Sequence, residues 1–150
     1  MSESCDSFDP SSGLLLVTGS NLRAEQGDRP IAYQLREQVL ELSSPESREQ
    51  RKHNIIVISD LWYLHCETLH RCPMISIGGP GVNAVSAHLL RVLPHSLLVD
   101  DQMVIQMDPD LNDQRVSIWG KDHQLTVDAV NLFIVRGYLD RFVQSVTAKI

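Results

Sequence analysis

The densest chemical signal in the chain is Gly78-Gly79-Pro80-Gly81-Val82-Asn83. It follows the apolar run Met74-Ile75-Ser76-Ile77 and opens an amphipathic stretch from Val82 to Leu93. A strand that empties through a glycine-rich turn into a helix can hold an anion, because free backbone N–H groups and the helix dipole both face the ligand. Other segments offer comparable groups after apolar runs: Thr18, Gly19, Ser20 and Asn21; Ser59 and Asp60; and Trp119, Gly120, Lys121, Asp122 and His123. If those runs are parallel strands, their carboxyl-end loops meet on one edge of the sheet. The expected ligand-binding set is therefore Thr18, Gly19, Ser20, Asn21, Asp60, Gly78, Gly79, Gly81, Asn83, Trp119, Gly120 and Lys121. Arg23 and Lys121 supply positive charge, and Asn83, Asp122 and His123 fix the ligand.

The same edge offers a second chemistry. His123 could act as a base toward a hydroxyl of Ser20 or Ser59, with Asp122 beside it. No G-x-S-x-G elbow accompanies these serines. Gly79 to Ala84 fits G-x-G-x-x-A, the dinucleotide fingerprint, but Pro80 removes a donor and the motif follows the third apolar run rather than the first. No G-K-S/T follows it, and no cofactor is expected. Cys66, His70 and Cys72 are zinc-type ligands, with Cys66 and His70 four apart on one helical face. Their spacing matches none of the usual zinc patterns, so no metal is expected. Asp108-Pro109-Asp110-Leu111-Asn112-Asp113 resembles the start of a calcium loop. It lacks glycine at the sixth position and glutamate at the twelfth, and reads as a hairpin turn.

These groups need a scaffold, and hydrophobic periodicity supplies one. Leu14-Leu15-Leu16-Val17, Ile55-Ile56-Val57-Ile58 and Met74 to Ile77 are strand-length runs without polar alternation, as in strands covered on both faces. Between the first two, Asp28 and Pro30 read as a helix start. Ile31, Ala32, Leu35, Val39 and Leu42 form its apolar stripe, and Ser43-Ser44-Pro45 its stop. The basic segment Arg48-Glu49-Gln50-Arg51-Lys52 reads as a solvated loop. Leu61 to Leu69 reads as a short helix, and Leu97 to Val99 as a further short strand. Met103–Met107 and Arg115–Trp119 flank the acidic turn as an antiparallel hairpin. Asp122 caps one long final helix with Val130, Phe133, Ile134, Tyr138 and Phe142 as its stripe. The expectation is a three-layer α/β sandwich over residues 14–150, after a flexible tail at 1–13. Its sheet is mostly parallel, of about five strands, with a late antiparallel hairpin at one edge.

Ile75 to Asn83 with Ser86-Ala87, and then Ile118-Trp119-Gly120-Lys121-Asp122 with Thr126, Ala129-Val130 and Phe133, resemble the Rossmann-like module of archaeal S-layer and related surface proteins. Those modules carry a GGP-x-x-N turn and a late G-x-D-x-x-x-T helix start. The resemblance covers about a third of the chain. It implies the α/β order and the proximity of these two loops, and brings no catalytic residues with it. Unlike an exported lattice protein, the chain carries cysteines and opens without a leader-like segment.

Composition narrows the partners. The chain has 150 residues, 43% hydrophobic and 21% charged, with a net charge of −6. That balance fits a globule and opposes a general nucleic-acid surface, which needs clustered Lys and Arg. No run reaches the roughly 18 apolar residues of a membrane span. Three cysteines without a secretory segment suggest reduced thiols and a cytoplasmic location. The leading expectation is a small cytoplasmic α/β domain binding a small anionic ligand at the carboxyl edge of its sheet. A small hydrolase or transferase, and a non-catalytic assembly domain forming a homodimer, are the alternatives.

Overall fold

Each apolar run sends successive side chains into two separate cores, which is why it shows no polar alternation. In β1 (Leu14–Thr18), Leu14 and Leu16 enter one core while Leu15 and Val17 enter the other. In β3 (Met74–Ile77), Ile75 and Ile77 face the first core and Met74 the second. The computed structural model describes residues 13–99 and 101–148. The tail expected over residues 1–13 falls, but for Gly13, outside the described residues.

The sheet has six strands in the order β2-β1-β3-β6-β5-β4. The others are β2 (Ile55–Ser59), β4 (His95–Val99), β5 (Met103–Met107) and β6 (Arg115–Gly120). β2, β1, β3 and β6 run parallel, while β5 is antiparallel to both β6 and β4. The α/β class and mostly parallel sheet are as expected. The antiparallel part forms one edge, and the hairpin's second strand, β6, lies inside the sheet beside β3. Asp108 accepts from the N–H of Asp110 (3.1 Å) and of Asp113 (3.0 Å), so its carboxylate closes the hairpin turn.

One face carries α1 (Arg29–Glu41), α5 (His123–Val135) and α6 (Tyr138–Ala148), whose Ile31, Leu35, Phe133 and Phe142 fill the first core. The other carries α3 (Asp60–His65), a 3₁₀ turn (Glu67–Arg71) and α4 (Ala84–Val92), with Tyr63, Leu69, Val85 and Leu89 in the second core. The helices after β1 and β6 thus lie on one face and the helix after β3 on the other. Such a reversal opens a crevice at the carboxyl ends of the strands.

Four local readings are corrected. The Arg48–Lys52 segment is helical within α2 (Pro45–Asn54), where Ser44 accepts from the Ser47 N–H and no residue is buried. Ser44-Pro45 thus starts this helix as well as following the last. The final helix is two helices, because Gly137 adopts φ +83°, a left-handed stop. The chain is already helical from Leu22 through a π-helical turn (Ala24–Asp28) that runs straight into α1. Asp28 is therefore in helical geometry and caps nothing. Cys72 is buried and outside any disulfide, but Cys66 is disulfide-bonded, so uniformly reduced thiols are not what the structure holds. Among the described residues, no helix is long and apolar enough to cross a membrane.

Two glycines are set by close approach. A Cβ on Gly19 would stand 1.8 Å from the Val82 carbonyl oxygen, and one on Gly120 2.3 Å from the Leu125 carbonyl carbon. Gly81 has nothing within 4 Å of such a position. Urea unfolding should therefore show Gly19→Ala and Gly120→Ala losing about 2 kcal/mol or more, and Gly81→Ala within about 0.5 kcal/mol of the parent. Equal effects at all three would contradict the packing described.

Candidate functional site

Segments from the ends of β1, β3 and β6 enclose a crevice of about 600 Å³ at the carboxyl edge, with Arg23, Asp28, Gly79, Trp119, Lys121 and His123 in its lining. Gly81, Gly120 and Asp122 line it too, so the glycine turn and the start of α5 share one site.

The remaining expected residues divide by what they bond to. Asn83 is 1% exposed, and its amide is spent on the chain. Its Nδ2 donates to the Ile77 carbonyl and to Ser76 Oγ (both 3.0 Å), with the Val17 carbonyl at 3.4 Å. Its Oδ1 accepts from the N–H groups of Val85 (3.0 Å) and Ser86 (3.2 Å), capping α4. Asp60, 5% exposed, accepts from Ser20 Oγ and from the N–H groups of Leu61 and Ala84 (both 2.8 Å). The N–H groups of Val82 (3.1 Å) and Asn83 (2.9 Å) both donate to the Gly79 carbonyl. The donors expected to greet an anion at α4 are thus occupied from within. Asn83 and Asp60 are polar by type and structural by placement.

Asn21 Oδ1 accepts from the Ala24 N–H (2.9 Å), starting the helical turn. Thr18 is fully buried, and its Oγ1 has no hydrogen-bond partner among the described residues. Gly19 packs beneath the Val82 carbonyl. Gly78 lies behind the crevice, with its N–H on the Ile118 carbonyl (3.0 Å). Ser59 Oγ accepts from the Trp62 N–H (3.2 Å), capping α3. Neither Ser20 nor Ser59 lines the crevice that His123 lines. His70 Nε2 is engaged with the Tyr63 carbonyl (2.8 Å) and Cys72 is in the core. No group of three His, Cys, Asp or Glu among the described residues could hold a metal ion.

In the crevice, Arg23, Lys121 and His123 are exposed and form no ion pair among the described residues. Asp122 Oδ1 caps α5 through the Leu125 N–H (2.8 Å). Trp119 lies against Gly79, where a Cβ would stand 3.4 Å from its ring. His123 Nδ1 would be 2.9 Å from a Cβ on Gly27. The sequence reading missed Asp28. It is 7% exposed, and its Oδ2 sits where a Cβ on Gly78 would be 2.5 Å away. Gly78 itself has φ +109°, a conformation that favours glycine. Burial pushes the Asp28 carboxyl above its ordinary range, while His123 and then Arg23 pull it back. The missed signal is local. Asp-Arg-Pro imitates a helix cap, but the π turn before it keeps the residue inside the helix, and such turns are frequent at functional sites.

No protein-family model matches the chain, and no curated protein or solved structure matches it significantly.

Two outcomes follow for stability. Asn83→Ala removes the cap and leaves strand carbonyls unmet, so it should cost about 2 kcal/mol or more in urea unfolding. A variant as stable as the parent would refute the clamp. Asp28 has a raised folded pKa, so its protonated form favours folding and that contribution is lost as pH rises through the folded value. Asp28→Asn should accordingly be more stable than the parent at pH 7, by about 1 kcal/mol, with the gain shrinking toward pH 4. A loss of stability at pH 7 would show that the carboxylate is satisfied.

Proposed function

We propose that the crevice binds a small anionic molecule, its charge met by Arg23, Lys121 and His123. The observation that carries this is three exposed cationic or basic side chains without ion pairs among the described residues, converging on a cavity of about 600 Å³ at the reversal of strand order. Ligand cavities are commonly of that size and in that position. Two further features support it. The amino end of α5 adds a partial positive charge beside His123, and Trp119 gives the wall a flat apolar surface. The backbone of the Gly79–Asn83 turn contributes shape rather than donors, because its Val82 and Asn83 N–H groups are engaged internally. A crevice rather than a shallow edge favours ligand binding over a purely assembling domain.

The test is a thermal-shift panel of inorganic phosphate, phosphate esters, short carboxylates and nucleotides. At least one class should raise Tm in proportion to its concentration, as selective binding to the folded state requires. The double variant Arg23→Ala/Lys121→Ala should weaken that ligand by about tenfold or more. It should leave the unliganded Tm unchanged, since both side chains are exposed. No shift from any member, or an undiminished shift in the double variant, would refute the reading.

A further inference from the structure

Asp28 differs from the other buried carboxylate and amide side chains at this edge. Asp60 and Asn83 are equally buried, and each is met by several donors or acceptors of the chain. Asp28, 7% exposed as a residue, lines the crevice, and its carboxylate accepts no hydrogen bond from any described residue. Buried carboxylates without partners are costly and uncommon. Here the surroundings are arranged to admit one: Gly78 yields the space of a side chain to Oδ2, and the π turn holds Asp28 on the crevice side of the helix. The groups facing it are His123 from α5, Arg23 from its own helical segment and the backbone of Gly78, with Lys121 and Asp122 farther along the lining.

That environment restricts what can satisfy Asp28. A simple cation would have to enter past Arg23 and Lys121, which repel it. A simple anion would satisfy Arg23, Lys121 and His123 and leave the buried carboxylate unmet beside a like charge. A molecule carrying an anionic group and, a few bonds away, a hydroxyl or ammonium donor satisfies both. We propose that Asp28 is the selecting group of the crevice, accepting a hydrogen bond from a hydroxyl or amino donor on the same small molecule whose anionic group meets Arg23 and Lys121. This rests on the reading of the crevice as an anion site and names the class of ligand it takes.

The test uses two matched series measured by calorimetric titration of the full chain. One is n-propyl phosphate, 3-hydroxypropyl phosphate and 3-aminopropyl phosphate; the other is butyrate, 4-hydroxybutyrate and 4-aminobutyrate. In at least one series a donor-bearing member should bind about tenfold or more tighter than its parent. Preference for the hydroxyl member identifies a polyol-like ligand, and preference for the amino member a zwitterionic one. Asp28→Ala should erase the preference while leaving the parent anion bound as tightly as before, or more tightly. Asp28→Asn, which keeps an acceptor but no charge, should erase the preference for the amino member. Circular dichroism and Tm establish that each variant is folded. Equal affinities within both series, or a preference that survives Asp28→Ala, would overturn the assignment of Asp28 and leave the anion site standing. Failure of all six probes, together with the earlier panel, would remove the anion site itself and this proposal with it.

Discussion

One side-chain amide holds the carboxyl edge together. Asn83 reaches the ends of β1 and β3 through Nδ2 and the start of α4 through Oδ1. It stands where the chain must leave β3 for the face opposite α1, so the direction of that crossover is fixed at this residue. Asp60 adds the end of β2 by bonding the Ala84 N–H. The two saturate the amino end of α4 from inside the protein. Gly79-Pro80-Gly81, which among the described residues bonds only through the Gly79 carbonyl, serves as a wall of the crevice.

The lattice of buried contacts was legible in the sequence wherever apolar side chains write it. Leu14–Val17, Ile55–Ile58 and Met74–Ile77 are strands for the reason their composition suggests, since each is covered on both faces. The hairpin around Asp108–Asp113 was readable from its turn chemistry. What escaped has specific causes. α2 buries nothing, so Arg48–Lys52 shows no stripe, and only Ser44-Pro45-Glu46 announces it. The apolar stripe from Val130 to Phe142 continues across the break at Gly137, because α5 and α6 turn their apolar faces to the same core. At the site, residue type misled in both directions. Asn83 and Asp60 looked like ligand groups and are structural, because tertiary burial and not chemistry decides which polar groups are free. Asp28 looked like a cap and faces the crevice.

The crevice is where the fold sets aside its own rules. Elsewhere the buried polar groups largely find partners: Gln106 Nε2 reaches the carbonyls of Leu89 and Leu93 at the end of α4, although its Oε1 meets no partner among the described residues, and Ser86 meets Ser117 across the sheet. Around the crevice a carboxylate goes unmet, Gly78 takes a left-handed conformation and Gly27 yields to an imidazole. Local costs of this kind accumulate where a protein keeps a site open rather than where it merely folds.

The strand order has a consequence for the way the molecule comes together. β4, β5 and β6 form a meander of near neighbours, whereas β2, β1 and β3 are joined by long crossovers, and the two groups meet only along the β3–β6 seam. Loop-closure entropy favours the meander forming ahead of that seam. The crevice draws Arg23 and Asp28 from one side of the seam and Trp119 to His123 from the other. A molecule of the kind proposed would act there as a fastener between two halves of the chain, held only after both have docked.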